Sequence, residues 1–243
     1  VLNTKKIEKI YSYWDAQTND ITLVKKVADL AKKHGAKISE HCEAKSLRYK
    51  EGLWHINLQK DGKKIELKSR VVVNLMGAWS NDFLVSQGIT PSHKGIKNKG
   101  VHLLFADMGL KRGVILHNRS DNRVFFVLPW ESKTLVGTTE SIFKGNSDNL
   151  TVEQEDIEYL LSACKSYFRT PLTKNDVIDS FAGIRWGVEQ STSSLSSQSR
   201  DSVIGEIKHP GAILLTLYGG KLTTYRKQAE IMGDRIAEFL QRK

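Results

Sequence analysis

The chain has 243 residues, 40% of them hydrophobic and 26% charged, and 37 Lys and Arg against 27 Asp and Glu give a net charge of +10. This is globular composition, with length for one large domain or two small ones, and it argues against a disordered chain. No apolar run approaches the roughly 20 residues of a spanning helix, and no apolar h-region follows Lys5-Lys6, so neither a transmembrane segment nor a signal peptide is expected. Cys42 and Cys164 stand far apart, which excludes a disulfide framework or a cysteine zinc site and fits a reducing compartment. The positive excess suggests an anionic partner: nucleic acid, an acidic membrane surface or a phosphorylated small molecule.

Hydrophobic periodicity predicts a first helix over Ile21–His34, capped by Asp20, with an apolar stripe of Leu23, Val24, Val27, Leu30 and Ala31. Gly35 suits the left-handed residue that ends it. A strand is expected near Lys37–His41. Next comes a meander in which Trp54, Ile56 and Leu58 alternate, Asp61-Gly62 turns, and Ile65 and Leu67 return. Val71–Leu75 is nearly continuous and β-branched, as in a strand covered on both faces, and it stops at Gly77-Ala78-Trp79. A buried strand ending at glycine is where an α/β fold admits a ligand to the backbone.

Four short apolar runs, Val101–Phe105, Val114–His117, Val124–Leu128 and Leu135–Val136, predict an antiparallel sheet. Thr151–Gln154 reads as a capping box opening a helix with Ile157, Leu160, Leu161 and Cys164 on its apolar side. Ser191–Ser199 reads as a loop. Strand Ala212–Leu217 leads through Gly219-Gly220-Lys221 into a final helix carrying Tyr225, Met232, Ile236 and Phe239. The expected architecture is α+β: an α/β layer built from both chain ends and an antiparallel sheet between them.

The strongest chemical signal is the strand–Gly-Gly–helix junction. Gly219 and Gly220 let a ligand approach the main chain, Thr223 or Thr224 can cap the helix, and Lys221 adds a full charge to the positive helix end. A plain tight turn with a solvated lysine fits the same letters. Arg185, between Gly183-Ile184 and Trp186, can grip phosphate or carboxylate with its planar fork, or form a structural pair with Glu189. Arg200 is a second anion candidate, or a partner of Asp201. His102 is a possible proton carrier or simply a packed strand residue. Gly137-Thr138-Thr139 can line a pocket or turn the chain. No GxSxG, HExxH, P-loop, paired-histidine spacing or nucleic-acid-binding motif occurs, and the lysines are scattered, so no nucleic acid is expected.

Val72–Trp79, Lys99-Gly100-Val101-His102, Val127–Trp130 with Leu135–Thr139, Gly183-Ile184-Arg185, Ser199-Arg200-Asp201 and Gly219–Arg226 occur in this order along nearly the whole chain. Together they resemble the FAD-dependent glycerol-3-phosphate dehydrogenases of the D-amino-acid-oxidase-like group. The resemblance implies residues 1–84 as later elements of an FAD-binding domain, 85–204 as a substrate domain and 205–243 as the return into the FAD-binding domain. It implies FAD contacts at Gly77, Gly219, Gly220, Leu222, Thr223 and Thr224, and a phosphate site of Arg185, Arg200 and Lys221. It also implies hydride transfer from C2 of glycerol 3-phosphate to flavin, giving dihydroxyacetone phosphate, with quinone as acceptor, possible contact with an anionic membrane surface, and a cytoplasmic or peripheral inner-membrane location.

Family members open with a GxGxxG dinucleotide segment that has no counterpart here, so the chain is expected to be an excised or truncated piece, inactive alone. Leu75-Met76 stands where the family has Ala-Thr, and Trp186 where it has proline. A related amino-acid or hydroxy-acid oxidase, with Arg185 on a carboxylate, and a non-catalytic basic module are the alternatives.

Overall fold

A computed structural model describes residues 2–3, 9–188 and 201–241. Helix α1 (Asp20–Lys33) matches the predicted segment, but Asn19 rather than Asp20 is the cap, its side chain accepting from Thr22 N. The stripe finds no core: α1 has no buried residue, and Val24 and Leu30 are 58% and 56% exposed. The strand expected at Lys37–His41 lies later, as β1 (Cys42–Lys50), because its inward residues Leu47 and Tyr49 follow the turn. It pairs antiparallel with β2 (Leu53–Lys60), which pairs with β3 (Lys63–Ser69) around Asp61-Gly62.

Two further layers define the molecule. In one, β4 (Val71–Asn74) lies parallel to β12 (Ala212–Gly219), and β12 pairs antiparallel with β11 (Ser202–His209). Ala212 and Leu214 pack with Leu47, Trp54 and Leu84 on one face; Ile213 and Leu215 pack with Met232 of α4 (Tyr225–Gln241) on the other. The central strand is thus covered on both faces, as the unbroken apolar run requires. Leu84 belongs to α2 (Ser80–Ser86), a short helix that periodicity did not signal.

The other layer is an antiparallel sheet of β5 (Gly95–Ala106), β6 (Val114–His117), β7 (Val124–Trp130), β8 (Lys133–Gly137) and β10 (Val177–Val188), in the order β10-β5-β8-β7-β6, with β9 (Ser141–Ile142) on β5. Its core face carries Val101, Leu103, Phe105, Phe125, Val127 and Val136, closed by Leu160, Ala163 and Cys164 of α3 (Gln154–Lys165). The capping box that opens α3 is two residues later than Thr151 suggests: Glu153 caps, and Asp156 closes the box. Asp156 is needed there because it also meets Lys99 Nζ at 2.6 Å in a buried ion pair joining α3 to β5.

The whole is mixed α+β with antiparallel sheets, as the sequence implies. Both layers meet where β10 and the Gly77–Trp79 turn touch β12.

Candidate functional site

At that meeting point lies a cavity of about 370 Å³. Gly77 comes to it from the turn after β4, Gly219, Gly220, Lys221 and Leu222 from the end of β12, and Arg185 from β10. The structure therefore brings six sequence candidates to one place. Thr223 and Thr224 do not line it. Neither caps the helix as expected: Thr224 Oγ1 donates to Lys221 O at 3.0 Å, inside a tight 3-10 turn that precedes α4. Arg200 and the Ser191–Ser199 segment lie outside the described residues.

The glycines shape this cavity. Gly77, Gly219 and Gly220 have φ of +56°, +70° and +97°, conformations that a side chain resists. A Cβ on Gly219 would stand 2.9 Å from Asp201 O, so glycine is what lets β12 approach that backbone; a Cβ on Gly77 would enter open space. Bare peptide at both rims, beside the first turn of a helical segment, suits the edge of a flat, electron-rich ring. Leu75 and Met76 do not block it, since both point outward, 63% and 40% exposed, and neither lines the cavity. On these observations the residues fit a flavin edge.

Register explains the electrostatics. Arg185 pairs with Asn98 across β10 and β5, Gly183 with Gly100, and Phe181 with His102, so all six share one face of the sheet. The Gly183–Gly100 row carries no side chain of its own between the arginine and the histidine, and the Thr138 hydroxyl and the Arg185 head occupy the space over Gly100. A Cβ on Gly100 would stand 2.5 Å from Thr138 Oγ1 and 3.3 Å from Arg185 Nη2, so the arginine head lies over this bare backbone. His102 stacks on Phe181 with centroids 5.1 Å apart. Burial first, and the Arg185 charge second, hold its imidazole below the ordinary value, so it is neutral at neutral pH.

Sequence reasoning missed Asn98 and Glu140, which also line the cavity. Glu140 accepts from Asn98 Nδ2 at 2.6 Å and pairs with Arg123 Nη2 at 2.7 Å. Alternation along β5 puts Asn98 on the His102 face, but its meeting with Glu140 depends on the β5–β9 pairing, which no local pattern announces. Trp186 also lines the cavity; its ring fills the space above Gly95, where a Cβ would lie 1.8 Å from it, and stacks on Tyr218 at 4.9 Å. Lys99 serves the core through Asp156 instead of the cavity. Among the described residues, no three His, Cys, Asp or Glu side chains gather as a metal site, and no helix is long and apolar enough to cross a membrane.

Residues 4–225 match the FAD dependent oxidoreductase family, DAO, and the chain belongs to it. Aerobic glycerol-3-phosphate dehydrogenase of Escherichia coli is 29% identical over 97% of this chain and 48% of its own length. D-erythritol 1-phosphate dehydrogenase of Brucella abortus is 30% identical over 91% of this chain and 45% of its own. The glycerol-3-phosphate dehydrogenase of Bacillus halodurans, solved complexed with FAD, superposes with a TM-score of 0.80 at 26% identity, covering 92% of this chain and 44% of that one. The chain thus spans about half the length of these relatives.

Proposed function

We propose that the chain is the substrate-binding part of an FAD-dependent sn-glycerol-3-phosphate dehydrogenase, with residues 85–204 as the substrate domain between two stretches of an FAD-binding domain. The observation that carries the reading is the convergence of Arg185, Lys221 and the Gly219-Gly220 backbone on one cavity in a chain of this family. A phosphate dianion suits a guanidinium fork and an ammonium acting together. Arg200 is a further candidate for the same anion.

In this reading the phosphate anchors the substrate at Arg185 and Lys221 and orients C2 toward the glycine-lined rim. His102, neutral and on the Arg185 face, takes the C2 hydroxyl proton. Bound FAD supplies the acceptor for the hydride leaving C2, and the product is dihydroxyacetone phosphate. The backbone at Gly219–Leu222 would hold the edge of the bound ring, its positive dipoles suiting a negatively charged edge. Quinone as the final acceptor and a peripheral station on an anionic cytoplasmic membrane face follow from the same reading.

The test is calorimetric titration of the chain with glycerol 3-phosphate, glycerol and simple amino acids. Binding of the phosphate alone, weakened about tenfold or more by Arg185→Ala and by Lys221→Ala, supports the reading. Preference for an amino acid would replace it with an amino-acid oxidase. Dehydrogenase activity is expected from the longer flavoprotein rather than from these 243 residues.

A further inference from the structure

The imidazole of His102 is held by packing. Among the described residues its ring nitrogens find no hydrogen-bond partner, so the orientation that such a bond commonly fixes falls to the groups around the ring. Two contacts supply it. On the β8 side Gly137 lies opposite His102, and the ring leans into the space a side chain would take: a Cβ on Gly137 would stand 2.3 Å from Cδ2, 2.8 Å from Cγ and 3.0 Å from Nε2. On the β10 side Phe181 lies opposite His102, its ring along the imidazole, with centroids 5.1 Å apart and planes 17° from parallel. This is an offset stack. The imidazole is pinned between a bare peptide floor and an aromatic wall.

Phe181 departs from the pattern of its own strand. Ser180, Ala182 and Ile184 take the half-buried positions of β10, while Phe181 shares the outward series with Gly183 and Arg185 and is 46% exposed. A phenyl ring on that face gains little from burial, and the ring contact it makes there is with the histidine. We infer that Phe181 is a positioning residue: its ring holds the His102 imidazole over Gly137 in one orientation and screens one of its faces from water. This rests on the reading in which His102 takes the C2 hydroxyl proton, and it adds the group that aims that base. Among the described residues the charge acting on the imidazole is the Arg185 guanidinium of β10; Gly137 on β8 and Phe126 beyond it on β7 carry none. Burial is the larger cause that holds the imidazole below its ordinary value, so a wall that keeps water away bears on proton affinity as well as on aim.

The experiment follows the imidazole signals of the 243-residue chain by NMR through a pH titration, with and without glycerol 3-phosphate, His102 being assigned by the signals lost in His102→Gln. In the unmodified chain the Phe181 ring current is expected to displace the His102 carbon-bound protons upfield, and glycerol 3-phosphate to move the His102 signals. Phe181→Leu keeps an apolar side chain without a ring to stack. It should lose the upfield displacement, move the His102 titration upward as water reaches the bared ring face, and shrink the response to glycerol 3-phosphate. Phe181→Tyr keeps the ring and should restore all three. Calorimetric affinity for glycerol 3-phosphate should be unchanged in both variants, because Arg185 and Lys221 hold the phosphate. A melting temperature and a phosphate affinity that fall together in Phe181→Leu, with the His102 titration unmoved, would mark a merely structural residue and overturn the inference. If His102 responds to glycerol 3-phosphate and Phe181→Leu leaves both its titration and that response as they were, Phe181 does not aim the base and the base reading stands. If His102 of the unmodified chain does not respond to glycerol 3-phosphate, the base reading falls and this inference with it.

Discussion

Gly137 cedes its side-chain volume to His102: the two pair across β8 and β5, and a Cβ on Gly137 would stand 2.3 Å from the imidazole Cδ2. Real contacts of that length do not occur, so Gly137→Ala must turn the ring or part the strands. Overpacking of this kind costs about 1–3 kcal/mol. The expected outcome is a lower urea midpoint together with a displaced His102 imidazole signal in NMR spectra.

Proton affinity at His102 gives a pH prediction with a definite sign. Burial and Arg185 both disfavour the imidazolium, so the folded-state value lies below 6.5. A base must be neutral, so if His102 is the base proposed above, turnover should hold above that value and fall as pH drops through it. Arg185→Gln removes the second cause and should move the titration of His102 upward, read directly by NMR on this chain. Below the unfolded value near 6.5 the unfolded chain takes up the proton more readily, so this group makes the fold less stable as pH falls.

The Lys99–Asp156 pair predicts a different phenotype for a residue within the same motif. Both are 8% exposed, and Lys99→Met leaves a buried carboxylate alone. The expected loss is about 3–5 kcal/mol in a urea melt. Adding Asp156→Leu should restore only part of it, because Asp156 Oδ2 also accepts from Glu153 N at 3.1 Å at the start of α3. Phosphate affinity, measured where the variant is folded, should not change.

The cysteines should differ in reactivity. Burial pushes the Cys164 thiol up to about 12, whereas Cys42 is half-buried at the start of β1. Since the thiolate is the nucleophile, iodoacetamide at pH 8 should modify Cys42 in the native chain and reach Cys164 only in denaturant, as read by mass spectrometry.

Strand and turn chemistry was legible wherever one face alone is buried. Trp54, Ile56 and Leu58 face Ser69, Leu67 and Ile65 in the register that Asp61-Gly62 dictates. By contrast β10 was not legible, because Ser180 and Phe181 exchange the polar and apolar positions of its alternation, a bulge falls between Val177 and Asp179, and its partner β5 lies far away in sequence. The same long-range pairing hid Asn98 and Glu140. The glycine rim and Arg185 could be read because their peculiarities are local: paired glycines after an apolar strand, and a charge set among glycines. Trp186 is a change in the cavity wall itself, and its ring is accommodated by Gly95 and Tyr218.

The uncovered stripe of α1 bears on how the molecule behaves in a tube. Val24 and Leu30 face water on α1, and Trp14, in the segment before it, is 99% exposed, so copies of the chain have oily surface to offer one another. The mutual repulsion of +10 charges opposes that contact. Added salt weakens that repulsion and leaves the oily contact intact. Light scattering of a concentrated sample should therefore rise with ionic strength, and dilute, low-salt buffer is the medium in which single molecules persist.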